Sequence, residues 1–284
     1  MTELPDILIL IVQTIILLTV LVVLLSFTVA WYERANAAPD LIDRRFTARG
    51  FGLSLWLMIQ EIACLLLTLL LRPCGWHRQR LQPGPVNNER RPVILLHGLF
   101  QNRSCLFWLA HRLRCAGWSH VYSINTPPWR DIETLTEILA KKVDEIRLAL
   151  QVDQVDLVGH SMGGMIARNY VQHRGGAPRV RRLVTLGTPH RGSKLAPFAI
   201  SKIGLSLLPG SAFLTSFNAG AWPAETDVVS LYSRHDNIVL PTANATLSGI
   251  PAIELSGMGH NALLFHPRTL QAVVDALARP KPHA

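Results

Sequence analysis

The chain begins with two apolar runs, each long enough to cross a membrane as a helix. Residues 7–31 carry no charged side chain, whereas residues 51–71 hold Gln60 and Glu61 near their centre. An α-helix rises about 1.5 Å per residue, so either run can cross roughly 30 Å of hydrocarbon. An ionised carboxylate in the bilayer costs at least about 2.5 kcal/mol. The pattern predicts a membrane anchor over residues 1–72, in which the second run either spans with Glu61 facing a partner or lies at the interface.

The first run differs from a signal peptide in two respects. The preceding segment MTELPD has acidic residues and no Lys or Arg, and the apolar core is too long. We therefore expect the anchor to be retained. Its orientation stays open under the positive-inside rule. Four arginines at residues 34–49 favour a cytoplasmic loop, which would put the rest of the chain outside if both runs span, but five arginines at residues 72–91 favour the opposite.

Beyond the second run the pattern changes twice. Residues 73–91 are rich in Pro, Gly, Asn and Arg, which predicts a linker. Strand-like and helix-like segments then alternate. Strands are predicted at residues 92–97, 120–125, 155–160, 180–187, 227–233 and 252–257, and helices at residues 105–118, 131–151, 162–174 and 267–278. This alternation predicts an α/β domain over residues 92–284, with a mostly parallel sheet covered by helices on both faces.

One interval breaks this alternation. Residues 191–224 place Leu and Phe side chains among Gly, Ser and Pro. We expect the interval to be an insertion that covers the carboxyl edge of the sheet as a lid. An ordinary peripheral pair of helices is the alternative interpretation.

Composition narrows the class of partner. Apolar residues make up 49% of the chain, charged residues make up 17%, and the net charge is +9. A basic surface beside a membrane anchor suits contact with anionic lipid head groups. No basic stretch is interleaved with aromatic residues, which argues against nucleic-acid binding. The four cysteines do not have the pattern of a disulfide framework, and the sequence indicates no metal site and no cofactor.

The segment VDLVGHSMGG carries the strongest chemical signal. Gly159, Ser161 and Gly163 form a G-x-S-x-G between a predicted strand and a predicted helix. Such a tight turn crowds the neighbours of the serine, and glycines two positions before and after it remove the clash and leave the hydroxyl exposed. The serine also lies at the N-terminus of the next helix, where free N–H groups favour developing negative charge. Ser161 is therefore the predicted nucleophile.

A serine hydroxyl becomes a good nucleophile only when a base accepts its proton. Among the eleven histidines, His260 follows the last predicted strand in a glycine-containing loop at the carboxyl edge of the sheet, and His266 is a second candidate. An acid must orient the imidazole. Asp236 lies just past the preceding strand and is the predicted acid. The chain order Ser161, Asp236, His260 is that of an α/β-hydrolase sheet.

Two backbone amides complete the predicted site. Gly98 follows the first strand of the domain and lets the backbone approach closely, so that the Leu99 N–H points inward. The N–H of Met162, directly after the nucleophile, is the second expected donor. Together they would hold the oxyanion of an attacked carbonyl, and the loss of one such donor typically costs about 10²–10³ in rate.

The motifs HGL, GHSMGG, LGTPHRGS and SRHDNIV, taken together, resemble the α/β-hydrolase superfamily and, within it, bacterial lipases and esterases. The resemblance covers residues 92 to about 280. It implies the α/β-hydrolase fold and cleavage of carboxylic esters, with lipid-like acyl chains, through an acyl-enzyme. The two N-terminal runs are not part of the usual secreted lipase. Because of these runs we expect a location in the bacterial inner membrane. The side of the membrane on which the hydrolase domain lies is not determined by the sequence.

Three alternative functions are compatible with the same residues. Acyl transfer to a lipid or glycan alcohol and thioester cleavage would both use the same serine, histidine and aspartate. A catalytically silent membrane scaffold would use none of them. The apolar interval at residues 191–224, with Phe100 and Trp129 nearby, is expected either to accept the acyl chain or to form ordinary core.

Overall fold

A computed structural model of the chain consists of a pair of long helices packed on an α/β domain. The structure describes residues 4–37, 47–77, 79–81, 84–86, 90–199 and 201–279. Helices α1 (Leu4–Ala37) and α2 (Ala48–Leu71) form the N-terminal helix pair. Both α1 and the segment Ala48–Trp76 are long and apolar enough to cross a membrane, with mean hydropathies of 3.2 and 2.0.

Within the described ranges, six parallel strands form one sheet in the order β2-β1-β3-β4-β5-β6. The strands are β1 (Val93–Leu96), β2 (Val121–Ile124), β3 (Val155–His160), β4 (Val180–Leu186), β5 (Asp227–Ser233) and β6 (Ala252–Leu255). The helices of the domain are α3 (Phe107–Cys115), α4 (Ile132–Leu150), α5 (Met162–His173), α6 (Lys202–Ser206), α7 (Ala212–Asn218) and α8 (Pro267–Ala278). The predicted parallel sheet is confirmed.

Two hydrophobic cores lie on opposite faces of this sheet. Successive side chains of a strand point to opposite faces, and in β1 Ile94 and Leu96 join the core beneath α4 and α5. Val93 and Leu95 join the other core, beneath α3 and α8. Strands buried on both faces read as continuous apolar runs, which is why the segments around residues 93–96 could be recognised from the sequence.

Most helix ends follow local signals that the sequence contains. Helix α4 begins after Asp131, whose carboxylate accepts a hydrogen bond from the Thr134 N–H at 2.8 Å, and it ends before Gln151, which has the left-handed conformation. The helix predicted at residues 105–118 is different. It starts as a 3-10 turn at Arg103–Leu106, and α3 ends at Cys115, before the positive φ of Gly117.

The interval at residues 191–224 contains α6, α7 and a 3-10 turn at Ala196–Phe198. Leu214 and Phe217 are buried in the core beneath α4 and α5, whereas Phe198 and Leu205 are exposed. The interval therefore contributes both core and surface. The predicted linker at residues 73–91 includes a 3-10 turn at Arg72–Trp76, while its residues 78, 82–83 and 87–89 lie outside the described residues.

The helix pair packs through the C-terminal half of α1. Val23, Phe27 and Leu57 are buried between the two helices. The apolar side chains of residues 4–18 are almost all exposed. Exposed apolar area of this extent is unusual for a surface in water. The C-terminal half of α1 therefore packs against protein, whereas its N-terminal half leaves its apolar side chains exposed.

Candidate active site

The turn between β3 and α5 presents Ser161 in a strained conformation. Its φ and ψ are 53° and −122°, a combination that non-glycine residues rarely adopt. A Cβ on Gly159 would lie 2.5 Å from the Cα of Gly164, and a Cβ on Gly163 would lie 2.5 Å from the carbonyl oxygen of Leu96. The glycines are thus required by close backbone approach, as the motif predicts.

The loops after β5 and β6 bring Asp236 and His260 together. The Oδ2 atom of Asp236 accepts a hydrogen bond from the Nδ1–H of His260 at 2.8 Å, and both side chains are buried. The other oxygen, Oδ1, accepts the N–H groups of Ile238 and Val239 at 2.8 and 2.9 Å. These amides fix the carboxylate, which in turn fixes the tautomer that leaves Nε2 of His260 free to accept a proton.

The pKa of His260 lies above its ordinary value. Burial is the largest single influence on this pKa and lowers it. The charge and hydrogen bond of Asp236, with a smaller contribution from the charge of Glu61, outweigh burial and raise the pKa. An imidazole with this property accepts a proton readily and stabilises the imidazolium once it forms.

Ser161 opens into a cavity of about 110 Å³. Leu99 and Met162, the predicted oxyanion donors, line the same cavity. Within the part of the chain that the structure describes, neither amide donates to another protein group. Most of the other lining residues are apolar, and several come from the 191–224 interval: Ser193, Leu195, Ala196, Ala199, Gly204 and Leu207. Phe100 and Trp129 are exposed and do not line it.

Ser161 lies close to the His260 loop but is not hydrogen-bonded to the imidazole. The ring of His160, its neighbour in the chain, is centred 4.7 Å from the ring of His260. Among the described residues the structure records no hydrogen bond between Ser161 Oγ and His260 Nε2. Catalytic hydrogen bonds are often long without substrate and shorten in the complex. His266 instead caps α8 through the N–H of Arg268.

Several residues that support the site were not identified from the sequence. Burial and the neighbouring His260 ring hold the pKa of His160 well below its ordinary value, so His160 is neutral and its Nε2–H donates to the His260 carbonyl at 3.1 Å. Asn237 Oδ1 accepts the N–H of His260 at 3.0 Å. Asn261 Oδ1 accepts from Gln101 Nε2 at 2.7 Å. The sequence offered one signal for such residues, a polar side chain next to a predicted catalytic residue. That signal does not show which group the side chain bonds.

All four cysteines are described and are unpaired. The structure also places His, Cys, Asp and Glu side chains in no group of three that could hold a metal ion, as far as the described residues extend. The groups at and beside the cavity are a hydroxyl, two backbone amides and a buried imidazole–carboxylate pair.

Comparisons with known proteins bear on the fold of this domain. A family model described as alpha/beta hydrolase fold matches residues 91–212. The triacylglycerol lipases of Pseudarthrobacter phenanthrenivorans and Burkholderia plantarii are each 34% identical over 147 residues, which cover 45% of this chain. The matches cover 44% and 39% of those two proteins, so the chain spans less than half the length of these relatives.

Solved structures share the fold over a larger part of the chain. The mature lipase BlEst2 of Bacillus licheniformis has a TM-score of 0.61 at 21% identity, covering 70% of this chain and 97% of that one. Aspergillus fumigatus lipase B has a TM-score of 0.60 at 20% identity, covering 70% and 56%. The strand order, the parallel sheet and the matched family model together show the predicted fold. The chain therefore has the α/β-hydrolase fold, and residues 91–212 match the family model of that fold.

Proposed function

We propose that the protein is a membrane-anchored serine hydrolase that cleaves carboxylic esters. The observation that carries the proposal is the arrangement around the cavity. A serine on a strained turn opens into it beside two free amides, and a buried His260–Asp236 pair lies next to that turn. The similarity to proteins named triacylglycerol lipase supports ester cleavage.

The proposed reaction proceeds through an acyl-enzyme. Ser161 Oγ attacks the ester carbonyl while His260 Nε2 accepts its proton, and the amides of Leu99 and Met162 hold the oxyanion. The imidazolium, stabilised by Asp236, then gives its proton to the leaving alcohol. In the second half, His260 accepts a proton from the water that attacks the acyl carbon, and it returns this proton to Ser161 Oγ as the acyl–oxygen bond breaks and the acid leaves.

The proposed substrates are esters with lipid-like acyl chains. The cavity beside Ser161 is lined mainly by apolar side chains, with Leu195 and Leu207 from the 191–224 interval. We propose that this interval is the cap that receives the acyl chain, and that residues 92–284 form the hydrolase domain. Apolar pockets with few polar groups are typical of sites for such ligands.

Replacement of Ser161 by alanine tests this function. We expect Ser161→Ala to abolish hydrolysis of a p-nitrophenyl ester, and labelling by a fluorophosphonate, without loss of folded structure. Ser216→Ala, an exposed serine of α7, is the control and should retain full activity. Activity that survives in Ser161→Ala would overturn the proposal, and a wild-type protein that no fluorophosphonate labels would favour a silent scaffold.

Product analysis separates hydrolysis from the two enzymatic alternatives. The wild-type protein is incubated with an ester in the presence of competing alcohols, and separately with an acyl thioester. We expect free acid from the ester as the main product. A main product esterified to the added alcohol would indicate acyl transfer, and faster cleavage of the thioester than of the matched ester would indicate a thioesterase.

We further propose that α1 alone crosses the membrane, with the hydrolase domain on the cytoplasmic side. Residues 4–25 extend about 33 Å as a helix, which matches the hydrocarbon thickness. Helix α2 carries the buried Glu61 against the hydrolase domain, so its middle cannot lie at the bilayer centre unless that domain does also. With one span, the arginines at residues 34–49 and 72–91 fall on one side, in agreement with the positive-inside rule.

The exposed cysteines Cys74 and Cys115 report the side of the domain. Spheroplasts are treated with a membrane-impermeant maleimide before and after permeabilisation. We expect labelling only after permeabilisation, and none in a Cys74→Ser, Cys115→Ser double variant. Labelling of intact spheroplasts would place the domain outside and contradict the single-span topology.

A further inference from the structure

The apolar helix α2 carries a buried carboxylate that binds the loop of His260. Glu61 is 0% exposed. Its Oε1 accepts the N–H of Asn261 at 2.7 Å and the Nδ2–H of the same residue at 2.8 Å, and its Oε2 accepts the N–H of Ala262 at 3.1 Å. The two residues directly after the histidine are thus held by a side chain 200 positions earlier in the chain.

Asn261 extends this contact to the turn that carries the predicted oxyanion donor. Its Oδ1 accepts from Gln101 Nε2 at 2.7 Å. Gln101 Oε1 in turn accepts the N–H of Gly98 at 3.0 Å, one residue before Leu99. The Glu61 carboxylate is therefore at one end of a continuous hydrogen-bonded chain that includes the histidine loop and the oxyanion turn.

Helix α1 makes a second contact, with the loop after β5 that carries Asp236. The Oγ of Ser26 accepts from Asn237 Nδ2 at 2.8 Å, and Asn237 Oδ1 accepts the N–H of His260 at 3.0 Å. Asn237 follows Asp236 directly, and its side chain is buried. Both helices of the N-terminal pair thus contact the acid–histidine region through polar side chains on otherwise apolar surfaces.

We propose that the N-terminal helix pair is part of the catalytic machinery, with Glu61 and Ser26 as positioning residues for His260 and, through Gln101, for the oxyanion turn. This inference rests on the hydrolase function proposed above. Neither side chain lines the cavity, so each acts through the loop and not on the substrate. A displacement of about 1 Å in a reacting group can cost about 10²-fold in rate.

A burial cost explains why this contact is more than packing. Burial raises the pKa of Glu61, because a carboxylate removed from water is costly to ionise, while the hydrogen bonds from Asn261 and Ala262 and the charge of His260 act in the opposite direction. Glu61 has three such bonds, all from the histidine loop. A Cβ on Gly259 would lie 2.5 Å from Glu61 Oε2, so the loop fits closely around the carboxylate. A loop in another conformation would leave the carboxylate unpaired, which restricts the loop to one position.

The test compares full-length variants in phospholipid vesicles with the wild-type protein. Glu61→Gln keeps the shape but replaces one accepting carboxylate oxygen by an NH2 group and carries no charge, and Ser26→Ala removes the acceptor of Asn237. Thr68→Val and Thr28→Val are the matched controls on α2 and α1, because each threonine hydroxyl bonds only a carbonyl of its own helix. Circular dichroism checks that every variant is folded, and kcat and KM are measured with a soluble p-nitrophenyl ester.

We expect Glu61→Gln to lower kcat by about 10- to 100-fold and to leave KM within about 2-fold, since the cavity is unchanged. The acid limb of the kcat profile should also move to lower pH. Glu61 and Asp236 are the carboxylates that face His260, and the neutral His160 ring is its other titratable neighbour. Removal of the Glu61 charge leaves Asp236 alone to favour the imidazolium, so the pKa of His260 falls.

Ser26→Ala should lower kcat less, by about 3- to 10-fold, without moving the acid limb, because no charge changes. Unchanged kcat in both variants, or an equal loss in the threonine controls, would overturn the positioning role. If Glu61→Gln does not fold, Ser26→Ala against Thr28→Val decides. Failure of the proposed function is distinguished from failure of the positioning role, because in the first case activity would survive in Ser161→Ala.

Discussion

The turn that presents Ser161 and the loop that presents His260 are held in place in different ways. Gly159, Gly163 and Ser161 lie within five residues of each other, and the turn is restricted by close backbone approach. The loop of His260 is restricted by side chains from distant parts of the chain, among them Glu61 and Asn237. One half of the site is thus built by local geometry and the other by long-range hydrogen bonds.

The difference concerns how each half responds to change. The backbone of the turn is so closely packed that a methyl group added at Gly163 would overlap a carbonyl oxygen. Hydrogen bonds to the loop can be removed one at a time by substitution, and we expect each removal to displace the histidine without unfolding the domain. We therefore expect substitutions in the turn to reduce stability and substitutions around the loop to reduce kcat.

Asp236→Asn gives the largest expected effect on the histidine half. The amide cannot accept the Nδ1–H of His260 with the same charge and favours the wrong tautomer, so kcat should fall by about 10⁴-fold with the fold intact. Steady-state kinetics and circular dichroism measure the two quantities. A loss of less than about 10-fold would show that the carboxylate does not orient this histidine.

Gly163→Ala probes the serine half. The new Cβ would lie 2.5 Å from the carbonyl oxygen of Leu96, and overpacking of this kind costs about 1–3 kcal/mol. Chemical denaturation should show that loss in the free energy of unfolding. Gly52→Ala, where no atom lies within 4 Å of the added methyl group, is the control and should be neutral or slightly stabilising. Equal stability of the two variants would contradict the close fit of the turn.

The pH dependence of kcat/KM is a third test, specific to the histidine half. In the proposed reaction His260 must be neutral to accept the serine proton, and its pKa is raised above the ordinary value of about 6.5. Activity should therefore fall about 10-fold per pH unit below that raised pKa and be full above it. An acid limb centred well below pH 6.5 would contradict the pairing with Asp236 in solution.

Lys194→Met is expected to have the smallest effect. Lys194 forms an ion pair with Glu33 of α1, but its side chain is 52% exposed. Exposed pairs are screened and contribute about 0–1 kcal/mol. Stability should change by less than about 1 kcal/mol and kcat by less than about 2-fold. A larger loss of kcat would show that exposed contacts of α1, and not only Ser26, control the loop.

Much of the hydrolase domain could be predicted because its signals are local. The strands were recognisable as apolar runs, and α8 begins and ends at the predicted residues, Pro267–Ala278. Ser161 was recognisable because the glycines that its conformation requires are adjacent in sequence. Asp236 and His260 followed from their places after β5 and β6, since the carboxyl ends of parallel strands meet at one edge of the sheet.

The contacts of the N-terminal helices with the loops of Asp236 and His260 could not be predicted in this way. From the sequence, Glu61 is a charge in an apolar run, which indicates either a buried partner or an interfacial helix. The partner, Asn261, has no distinguishing feature in the sequence, because any exposed loop contains such residues. Ser26 is likewise a common residue of apolar helices, and its contact with Asn237 depends on how α1 crosses the domain.

The sequence by itself determined the parallel α/β domain, the strained serine turn and the existence of two helices long enough for a membrane. These properties depend on residue spacing, backbone conformation and apolar length, which are readable within short segments. Only the tertiary structure decided that Glu61 meets the loop of His260 and that the Asp236–His260 pair is buried. A hydrogen bond between distant segments depends on the packing of the whole chain, and no local pattern encodes its partner.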